Sequence, residues 1–364
     1  LTNFFSINNI TNRNVIKLAE GWHEQTQSLY ASADLGYRGT YYLTLTGRND
    51  WPSALAGPKS KTSSFFYPSV GVSVLMTQML ADAGIDIPSQ YLSFWKIRAS
   101  WADVGTAFPR YIANPRYEWK DGKWSLTTQY PVENLKPERT KSWEVGMNFR
   151  MFNNLTFDAT WYQADTHNQT FNPGIAAGKY SKIYIQTGNV RNWGMEFALG
   201  YDNTWKDFSW STNLTYSFNK NKILELGRDA YNPITGEKLT IDQLVMTDTQ
   251  VGATRFILRE GGTMGDLYSM VNLQTDSKGN IYVSEDGNVF TNSVADSPIK
   301  LGSVLPKGNL AWNNTFRYKN LSASFMLSAR LGGIVYSRTQ AVLDQFGVCL
   351  LYTSPSPRDR TRSR

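Results

Sequence analysis

The most constraining feature of this chain is an alternation of apolar and polar residues that continues over unusually long segments. In residues 208–219, Phe208, Trp210 and Leu214 share one face of an extended strand, while serine, asparagine and threonine occupy most of the other face. About ten segments of roughly 10–14 residues carry this period-two pattern, which indicates β-strands. Ordinary globular strands have about 5–6 residues, whereas a tilted strand that crosses a bilayer needs about 9–11. The pattern therefore predicts bilayer-crossing strands around residues 29–35, 41–48, 65–77, 93–103, 142–150, 155–161, 192–201, 208–219, 310–318 and 321–331.

The connections between these strands alternate between short and long. Tight turns are predicted at Tyr37–Gly39, Phe152–Asn154, Asn203–Asp207 and Lys319–Asn320, and the longer connection Gln78–Tyr91 is expected to hold a helical turn. Long loops are predicted at Trp51–Ser64, Thr106–Thr140, Asn168–Tyr180 and about Asn221–Lys307. Short turns on one rim and long loops on the other are typical of membrane barrels. The alternative, a soluble β-sandwich, has no such requirement. We therefore expect an all-β fold: a transmembrane antiparallel up-and-down β-barrel.

The charge balance does not indicate a nucleic-acid partner. The chain has 364 residues and a formal net charge of +7, with only 18% charged but 14% aromatic residues. The densest basic cluster lies in the last seven residues, and the other basic residues are interleaved with acidic ones. Nucleic-acid binding requires a clustered basic patch. We expect residues 1–348 to be a portion of the barrel with long extracellular loops, and residues 349–364, which include the single cysteine Cys349, to be a basic disordered or foreign tail.

Neither end of the chain reads as a natural boundary of a barrel. No signal peptide or initiator methionine precedes Leu1, and the last predicted strand runs into Gly332–Phe346 rather than ending the chain. An open sheet edge is not tolerated in lipid. We therefore expect a fragment from which strands are missing on both sides.

The segment Asn134–Met147 begins with the run Asn-Leu-Lys-Pro-Glu and continues into a predicted strand. This segment and five others resemble, in the same order, segments of the SusC/RagA-type TonB-dependent outer-membrane transporters of the Bacteroidetes. The others are Tyr41–Asp50, Phe65–Gly71, Gly188–Glu196, Glu260–Tyr268 and Pro306–Asn320. Each piece alone has low specificity, since glycine and aromatic residues are common in barrels, but six in order are highly specific.

The resemblance implies a barrel of about 22 strands, filled by a plug, of which this chain would supply about ten strands. It also implies a location in the bacterial outer membrane, energy coupling through TonB, and a SusD-like surface lipoprotein that delivers an oligosaccharide or a peptide. The alternatives are a TonB-dependent siderophore or cobalamin receptor, a passive porin-like or adhesin barrel, and, more distantly, a soluble carbohydrate-active enzyme.

No catalytic or cofactor site is predicted. The carboxylates of Glu144, Asp158 and Glu196 fall on the polar face of different strands and are expected to line the barrel or form internal ion pairs, rather than act as a glycosidase pair. The basic residues of that face are expected to line it as well: Lys96, Arg98, Arg150, Arg317 and Arg330. We expect His167 to be a loop residue rather than a metal ligand.

Two loop features are noted as candidate sites. Asp276–Asn280 and Glu285–Asn288 contain acidic residues, but their spacing does not match a calcium loop, and hairpin turns are expected. The long loop before Asn134 is rich in aromatic residues, whose flat faces suit stacking on sugars or peptides. Tyr117, Trp119 and Trp124 are the weak ligand-binding candidates of this loop, and loop self-packing or contact with a partner lipoprotein is the more ordinary interpretation.

Overall fold

The fold is dominated by long β-strands. The computed structural model describes residues 23–55, 64–106, 112, 118–120, 123–125, 128–130, 136–172, 178, 180, 183–186, 188–227, 231–239, 241–251, 253–285 and 289–345. The first strands are β1 (Thr26–Tyr37), β2 (Tyr41–Pro52), β3 (Phe65–Leu75), β4 (Leu92–Thr106), β5 (Glu118–Lys120), β6 (Lys123–Ser125), β7 (Glu138–Met151), β8 (Leu155–His167), β9 (Thr170–Phe171) and β10 (Ile185–Gln186). The remaining strands are β11 (Asn189–Trp205), β12 (Phe208–Glu225), β13 (Gln243–Val251), β14 (Thr254–Arg259), β15 (Asp266–Ser269), β16 (Val271–Leu273), β17 (Thr291–Ser293), β18 (Ile299–Ser303), β19 (Gly308–Tyr318) and β20 (Leu321–Leu331). The helices are α1 (Met76–Asp82) and α2 (Arg338–Gln345), with a 3-10 turn at Ser53–Leu55.

Ten of these strands form one antiparallel sheet, which we call the wall. Its order is β1-β2-β3-β4-β7-β8-β11-β12-β19-β20, so every wall strand pairs with the wall strands before and after it in the chain. This is the predicted up-and-down arrangement, with β1 and β20 at the two edges. The predicted tight turns are present, but the one predicted at Asn203–Asp207 consists only of Lys206–Asp207, because β11 continues to Trp205. Arg38, Asn153, Lys206 and Lys319 in these turns adopt positive φ angles, as the favoured hairpin turns require. We call the opposite end, where the long connections lie, the outer rim.

The alternation is confirmed, and burial along the strands runs opposite to that of a soluble protein. On β7, Trp143, Val145 and Met147 are 55, 45 and 40% exposed, while the polar residues Ser142 and Asn148 on either side of this stretch are half-buried. The register carries one apolar face across all ten strands, because residues paired across antiparallel strands point to the same side. A continuous exposed apolar face of this size is what a lipid-facing wall presents.

Aromatic rings concentrate near the two ends of the apolar face. On β11, Trp193 lies toward the outer rim and Trp205 at the short turn. Twelve residues of strand cover about 41 Å, and at a tilt of about 45° this corresponds to roughly 29 Å across a bilayer whose hydrocarbon core is about 30 Å thick. Near the short turns, Trp210 stacks on Phe316 with ring centroids 6.2 Å apart. The spacing fits aromatic girdles at two membrane interfaces.

The structure corrects the predicted organisation of two connections. The segment 221–307, predicted as a long loop, contains the end of β12 and a four-stranded sheet of order β13-β14-β15-β18, which we call the loop sheet. It also contains the separate hairpin of β16 and β17. The predicted helical turn is confirmed as α1. It begins at Met76, which was predicted to belong to the strand 65–77, and β3 accordingly ends earlier, at Leu75.

The buried apolar residues lie at the outer rim rather than inside the wall. One cluster joins Val190, Ile223, Leu226, Leu244 and Leu258, and thus packs the loop sheet against the outer ends of β11 and β12. A second cluster joins Leu55, Phe65 and Ile112. No helix within the described ranges is long and apolar enough to span a membrane. Residues 349–364, the predicted tail, lie outside the described residues.

Candidate functional site: the polar face and the outer rim

The polar face of the wall is organised around Arg98 on β4. Its Nη1 donates to Asn148 Oδ1 at 2.7 Å, and its Nη2 donates to Thr160 Oγ1 at 2.5 Å. The same guanidinium lies 3.4 Å from the carboxylate of Asp158 and 3.5 Å from that of Glu144. One cation therefore joins β4, β7 and β8, which confirms the predicted internal ion pairs for two of the three carboxylates. The third, Glu196, is exposed.

Two glycines make room for large side chains that lie across this face. A Cβ atom at Gly146 would come within 2.7 Å of Arg98 Cζ, and one at Gly194 within 2.7 Å of the Tyr162 hydroxyl. Contacts this short do not occur without displacement of a neighbour. The glycines therefore let the guanidinium and the phenol lie flat against the neighbouring strands.

A ladder of amides continues from the polar face to the outer rim. The hydroxyl of Tyr162 donates to Asn219 Oδ1 at 3.3 Å, and the amides of Asn219 and Asn221 both donate to Asn192 Oδ1, at 3.2 and 2.9 Å. Asn221 Oδ1 in turn accepts the backbone N–H of Met264 at 2.7 Å. The ladder thus connects the wall to the loop sheet through neutral hydrogen bonds.

The loop sheet is fixed in place by Asp266, whose side chain is 1% exposed. Its carboxylate accepts hydrogen bonds from Lys300 Nζ at 2.5 Å, from Thr263 Oγ1 at 2.6 Å and from the Thr263 backbone N–H at 3.1 Å. Burial by itself raises the pKa of this carboxyl, but the hydrogen bonds from Lys300 and Thr263 outweigh it and hold the pKa below its ordinary value. Asp266 therefore stays ionised and links β15 to β18 near neutral pH.

Hydrogen bonds to the backbone at the outer end of β12 attach the segment 260–262 to the wall. The N–H of Ile223 donates to Gly262 O at 2.9 Å, and the N–H of Gly261 donates to Ile223 O at 2.8 Å. The side chain of Glu260 accepts the N–H of Leu226 at 3.0 Å. The segment 260–268 is thus an anchor between β12 and the loop sheet.

A hollow of about 520 Å³ lies on the polar face near the short turns. Its lining comes from five adjacent wall strands, β4, β7, β8, β11 and β12, and its polar members include Arg150, Asp158, Asn148, Thr156 and Asn213. The polar part of the lining combines one carboxylate and one guanidinium with neutral donors and acceptors, and Phe94, Phe149 and Phe157 add apolar surface beside them. Such a lining suits a solute with both hydroxyl or amide groups and apolar faces, or a protein surface of mixed polarity.

The aromatic candidates lie on a hairpin whose backbone alone is described. Strands β5 and β6 pair so that Trp119 faces Trp124 across the hairpin. Tyr117 lies outside the described residues. Their role in ligand binding therefore stays a prediction.

The other predicted loop residues have local structural roles. His167 is the last residue of β8 and is half-buried. Asp276 accepts the backbone N–H groups of Lys278 and Asn280, and Thr275 and Ile281 form a bridge around this turn, so the predicted hairpin turn is confirmed. Residues 286–288 of the second acidic segment lie outside the described residues.

The sequence did not reveal which groups would meet. The partners of Arg98 depend on the relative register of three strands, and Asn192 and Asp266 carry no chemical motif of their own. Their signal is positional: both lie in segments that resemble the transporter family, Gly188–Glu196 and Glu260–Tyr268.

Comparison with known proteins decides the family. Residues 2–333 match the family model described as TonB dependent receptor-like, beta-barrel. The chain belongs to this family. TonB-dependent receptor P3 of Formosa agariphila is 27% identical over 93% of this chain and 35% of the relative. TonB-dependent receptor SusC of Bacteroides thetaiotaomicron is 25% identical over 89% of this chain and 35% of the relative. This TonB-dependent receptor barrel chain thus spans about a third of the length of both relatives.

The fold is that of a solved receptor barrel. The structure of the RagAB peptide importer in the open-open state matches with a TM-score of 0.65 at 17% identity, covering 85% of this chain and 33% of the other. The closed-closed state of the same importer gives a TM-score of 0.65 at 19% identity over the same shares. TonB-dependent receptors form a family of outer-membrane transport receptors rather than of enzymes. The expected resemblance is therefore confirmed at the level of family and fold.

Proposed function

We propose that this chain forms part of the wall and outer loops of an energy-coupled outer-membrane importer, which takes up oligosaccharides or peptides together with a SusD-like surface lipoprotein. The observation that carries the proposal is the two-faced wall, with an exposed apolar surface on one side and a hydrogen-bonding surface on the other. Relatives named SusC and RagAB support the importer class.

The composition of the polar face favours a neutral, hydroxyl-rich solute. Every polar-face position of β12 from Ser209 to Asn219 is serine, asparagine or threonine. At the centre of the wall, the carboxylates of Glu144 and Asp158 are engaged by Arg98 rather than left free. Hydroxyls and amides can exchange hydrogen bonds with a passing sugar, and paired charges do not trap it. An oligosaccharide fits this surface, and the backbone amides of a short peptide fit it as well.

In this proposal the outer rim receives the solute. The loop sheet is held together by Asp266 and anchored to the wall through the segment 260–268, so it presents a stable surface to a lipoprotein. Aromatic residues of the β5–β6 hairpin, Trp119 and Trp124, would contact the solute. TonB would act on parts of the receptor beyond this chain.

The direct test is uptake by living cells. The gene of the full receptor is deleted in frame and complemented with the wild type or with a variant, and uptake of fluorescent oligosaccharides and peptides is measured with and without a protonophore. The proposal expects uptake that needs both the gene and the proton gradient. Uptake that ignores the protonophore would indicate a passive porin, and loss only of iron-chelate or cobalamin uptake would indicate a siderophore or cobalamin receptor.

The partner is tested separately. A SusD-like lipoprotein should co-purify with the tagged receptor from detergent-solubilised outer membranes. Substitution of Asp266 by asparagine should weaken the association, because it loosens the loop sheet. The matched control is Asp207→Asn at the opposite rim, whose ion pair with Lys319 is exposed.

A further inference from the structure

A row of charged residues crosses the lipid-facing side of the wall at its outer rim. The register pairs Asp103 with Lys141, Lys141 with Asp165, Asp165 with Arg191, and Arg191 with Lys222. These five residues therefore lie side by side on five adjacent strands and point to the apolar side. Adjacent strands are about 4.8 Å apart, so the row spans roughly 19 Å.

The row lies directly above a row of tryptophans. Two residues closer to the short turns, the same register aligns Trp101, Trp143, Gln163, Trp193 and Lys220. The rings of Trp101 and Trp143 are 6.3 Å apart. Tryptophan on the lipid side of a barrel marks the membrane interface. The charged row above it is therefore at the level of the lipid headgroups of the outer leaflet.

The charges of this region are unequal. It holds five basic side chains, Arg139, Lys141, Arg191, Lys220 and Lys222, and two carboxylates, Asp103 and Asp165. Both carboxylates are already engaged: Arg139 Nε lies 2.8 Å from Asp103, and Arg191 binds Asp165 with two nitrogens, at 2.7 and 3.1 Å. Glu225 is half-buried and pairs with Asn189, which lies two residues beyond Arg191 on β11 and therefore farther from the membrane.

Three lysines remain available to a ligand. Lys141, Lys220 and Lys222 are exposed, and within the described part of the chain no carboxylate lies within 4.0 Å of their ammonium groups. Lys220 Nζ lies 4.9 Å from the centre of the Trp193 ring, which holds the ammonium at the top of the aromatic row. Lys222 lies beside Arg191, so two cations meet on neighbouring strands.

We propose that this surface, which we call the basic row and define as Lys141, Arg191, Lys220 and Lys222, binds the phosphorylated headgroup of a lipid in the outer leaflet. The ammonium groups of the three lysines would contact the phosphate, Arg191 would add a cation held in place by Asp165, and the tryptophans below would contact the acyl chains and sugar backbone. Basic residues next to a membrane interface attract anionic headgroups, and carboxylates already engaged by arginine do not repel the phosphate.

The test measures lipid binding to the full-length receptor purified in detergent. The probes are phosphorylated lipid A and the same lipid A after removal of its phosphate, added to the wild type and to the triple variant Lys141→Gln, Lys220→Gln and Lys222→Gln. Each lysine near an anionic surface contributes roughly fivefold to affinity, so three give about a 100-fold loss for the phosphorylated probe. The dephosphorylated probe should bind both proteins equally.

The matched control removes three exposed lysines elsewhere: Lys206→Gln, Lys278→Gln and Lys319→Gln. It should bind the phosphorylated probe as the wild type does. A variant in which the three lysines are replaced by arginine keeps the charge and should retain binding. If the triple glutamine variant does not fold, the single variant Lys222→Gln should still show a measurable loss of affinity for the phosphorylated probe.

Equal binding of the phosphorylated probe by the wild type and the triple glutamine variant would overturn the proposal. So would an equal loss in the control variant, which would indicate a non-specific effect of net charge, or an equal preference of the wild type for both probes. None of these outcomes bears on uptake, because the basic row lies on the opposite side of the wall from the solute pathway.

Discussion

Replacement of Asp266 by asparagine should selectively loosen the loop sheet. The substitution preserves size but leaves one oxygen where the carboxylate has two. If the oxygen keeps the bond from Thr263 Oγ1, the new amide nitrogen faces Lys300 Nζ and the backbone N–H of Thr263, which are both donors. At least one buried donor then has no acceptor.

The magnitude follows from the two lost interactions. A buried N–H without an acceptor costs about 1–3 kcal/mol. The charged hydrogen bond from Lys300 is discounted to about 1 kcal/mol, because the lysine side chain is 48% exposed and regains hydration. Together they predict a loss of about 2–4 kcal/mol in the local stability of the loop sheet, which corresponds to roughly 30- to 700-fold more frequent opening.

Hydrogen exchange followed by mass spectrometry reads this out in the full-length receptor. Peptides covering 254–303 should exchange faster in the variant by that factor, while peptides from β7 in the wall should not change, since local openings are independent. The control Asp207→Asn breaks an ion pair of 3.8 Å between side chains that are 62 and 61% exposed, and should change exchange by less than about 0.5 kcal/mol. Exchange in 254–303 that differs by less than about threefold from the wild type would show that Asp266 does not hold the loop sheet together.

Three further predictions concern the other parts of the molecule. Gly146→Ala should displace the Arg98 guanidinium, which lies 2.7 Å from the new Cβ, and destabilise the folded barrel by about 1–2 kcal/mol. Gly71→Ala should be neutral, because its new Cβ would lie 3.8 Å from Thr44 Cβ, an ordinary van der Waals contact. The heat-modified mobility of the receptor in gels measures both. Because the folded pKa of Asp266 is held below its ordinary value of 3.8, the stabilisation it provides should be complete above that value and decline as pH falls through the lower folded pKa, which the exchange of 254–303 across a pH series can measure. Replacing both Trp119 and Trp124 by alanine should weaken solute uptake by roughly tenfold, since each stacked ring contributes about 0.5–1.5 kcal/mol beyond its buried area.

Each of these has a result that contradicts it. Equal gel behaviour of the two glycine variants would mean that the arginine network does not constrain the wall. If the loop sheet loosened as pH rises from 5 to 8, the predicted sign of the link between Asp266 ionisation and loop-sheet stability would be wrong. Unchanged uptake by the double tryptophan variant would remove the hairpin from the solute pathway and leave the importer class standing.

The wall could be predicted from the sequence because its signal is local. All ten predicted strands are present, since a strand between lipid and water must alternate at every position. Their outer ends were underestimated: β11 begins at Asn189 and β12 ends at Glu225, beyond the predicted 192–201 and 208–219. Outside the bilayer both faces of a strand are polar, so Arg191 and Lys222 interrupt the alternation of apolar and polar residues. The pairing of β11 with β12 nevertheless continues past them.

The loop sheet could not be predicted for a different reason. Its strands have four to nine residues, and β15 pairs with β18 from about thirty residues away. Burial in a shared cluster, such as the one that contains Leu258 and Val190, decides where these strands lie, rather than alternation. In the same way, the sequence placed Arg98 and its carboxylates on one face, but only the register of three strands brings them together.

One face of the wall should meet lipid, and the other face should meet water. Nitroxide labels placed one at a time at residues 142, 143, 144, 145, 147 and 148 of the full-length receptor, in a background where Cys349 and any other cysteine are replaced by serine, test it directly in reconstituted bilayers. Labels at 143, 145 and 147 should collide with dissolved oxygen, and those at 142, 144 and 148 should collide with a water-soluble nickel chelate. A uniform profile along the strand, or an inverted one, would contradict it.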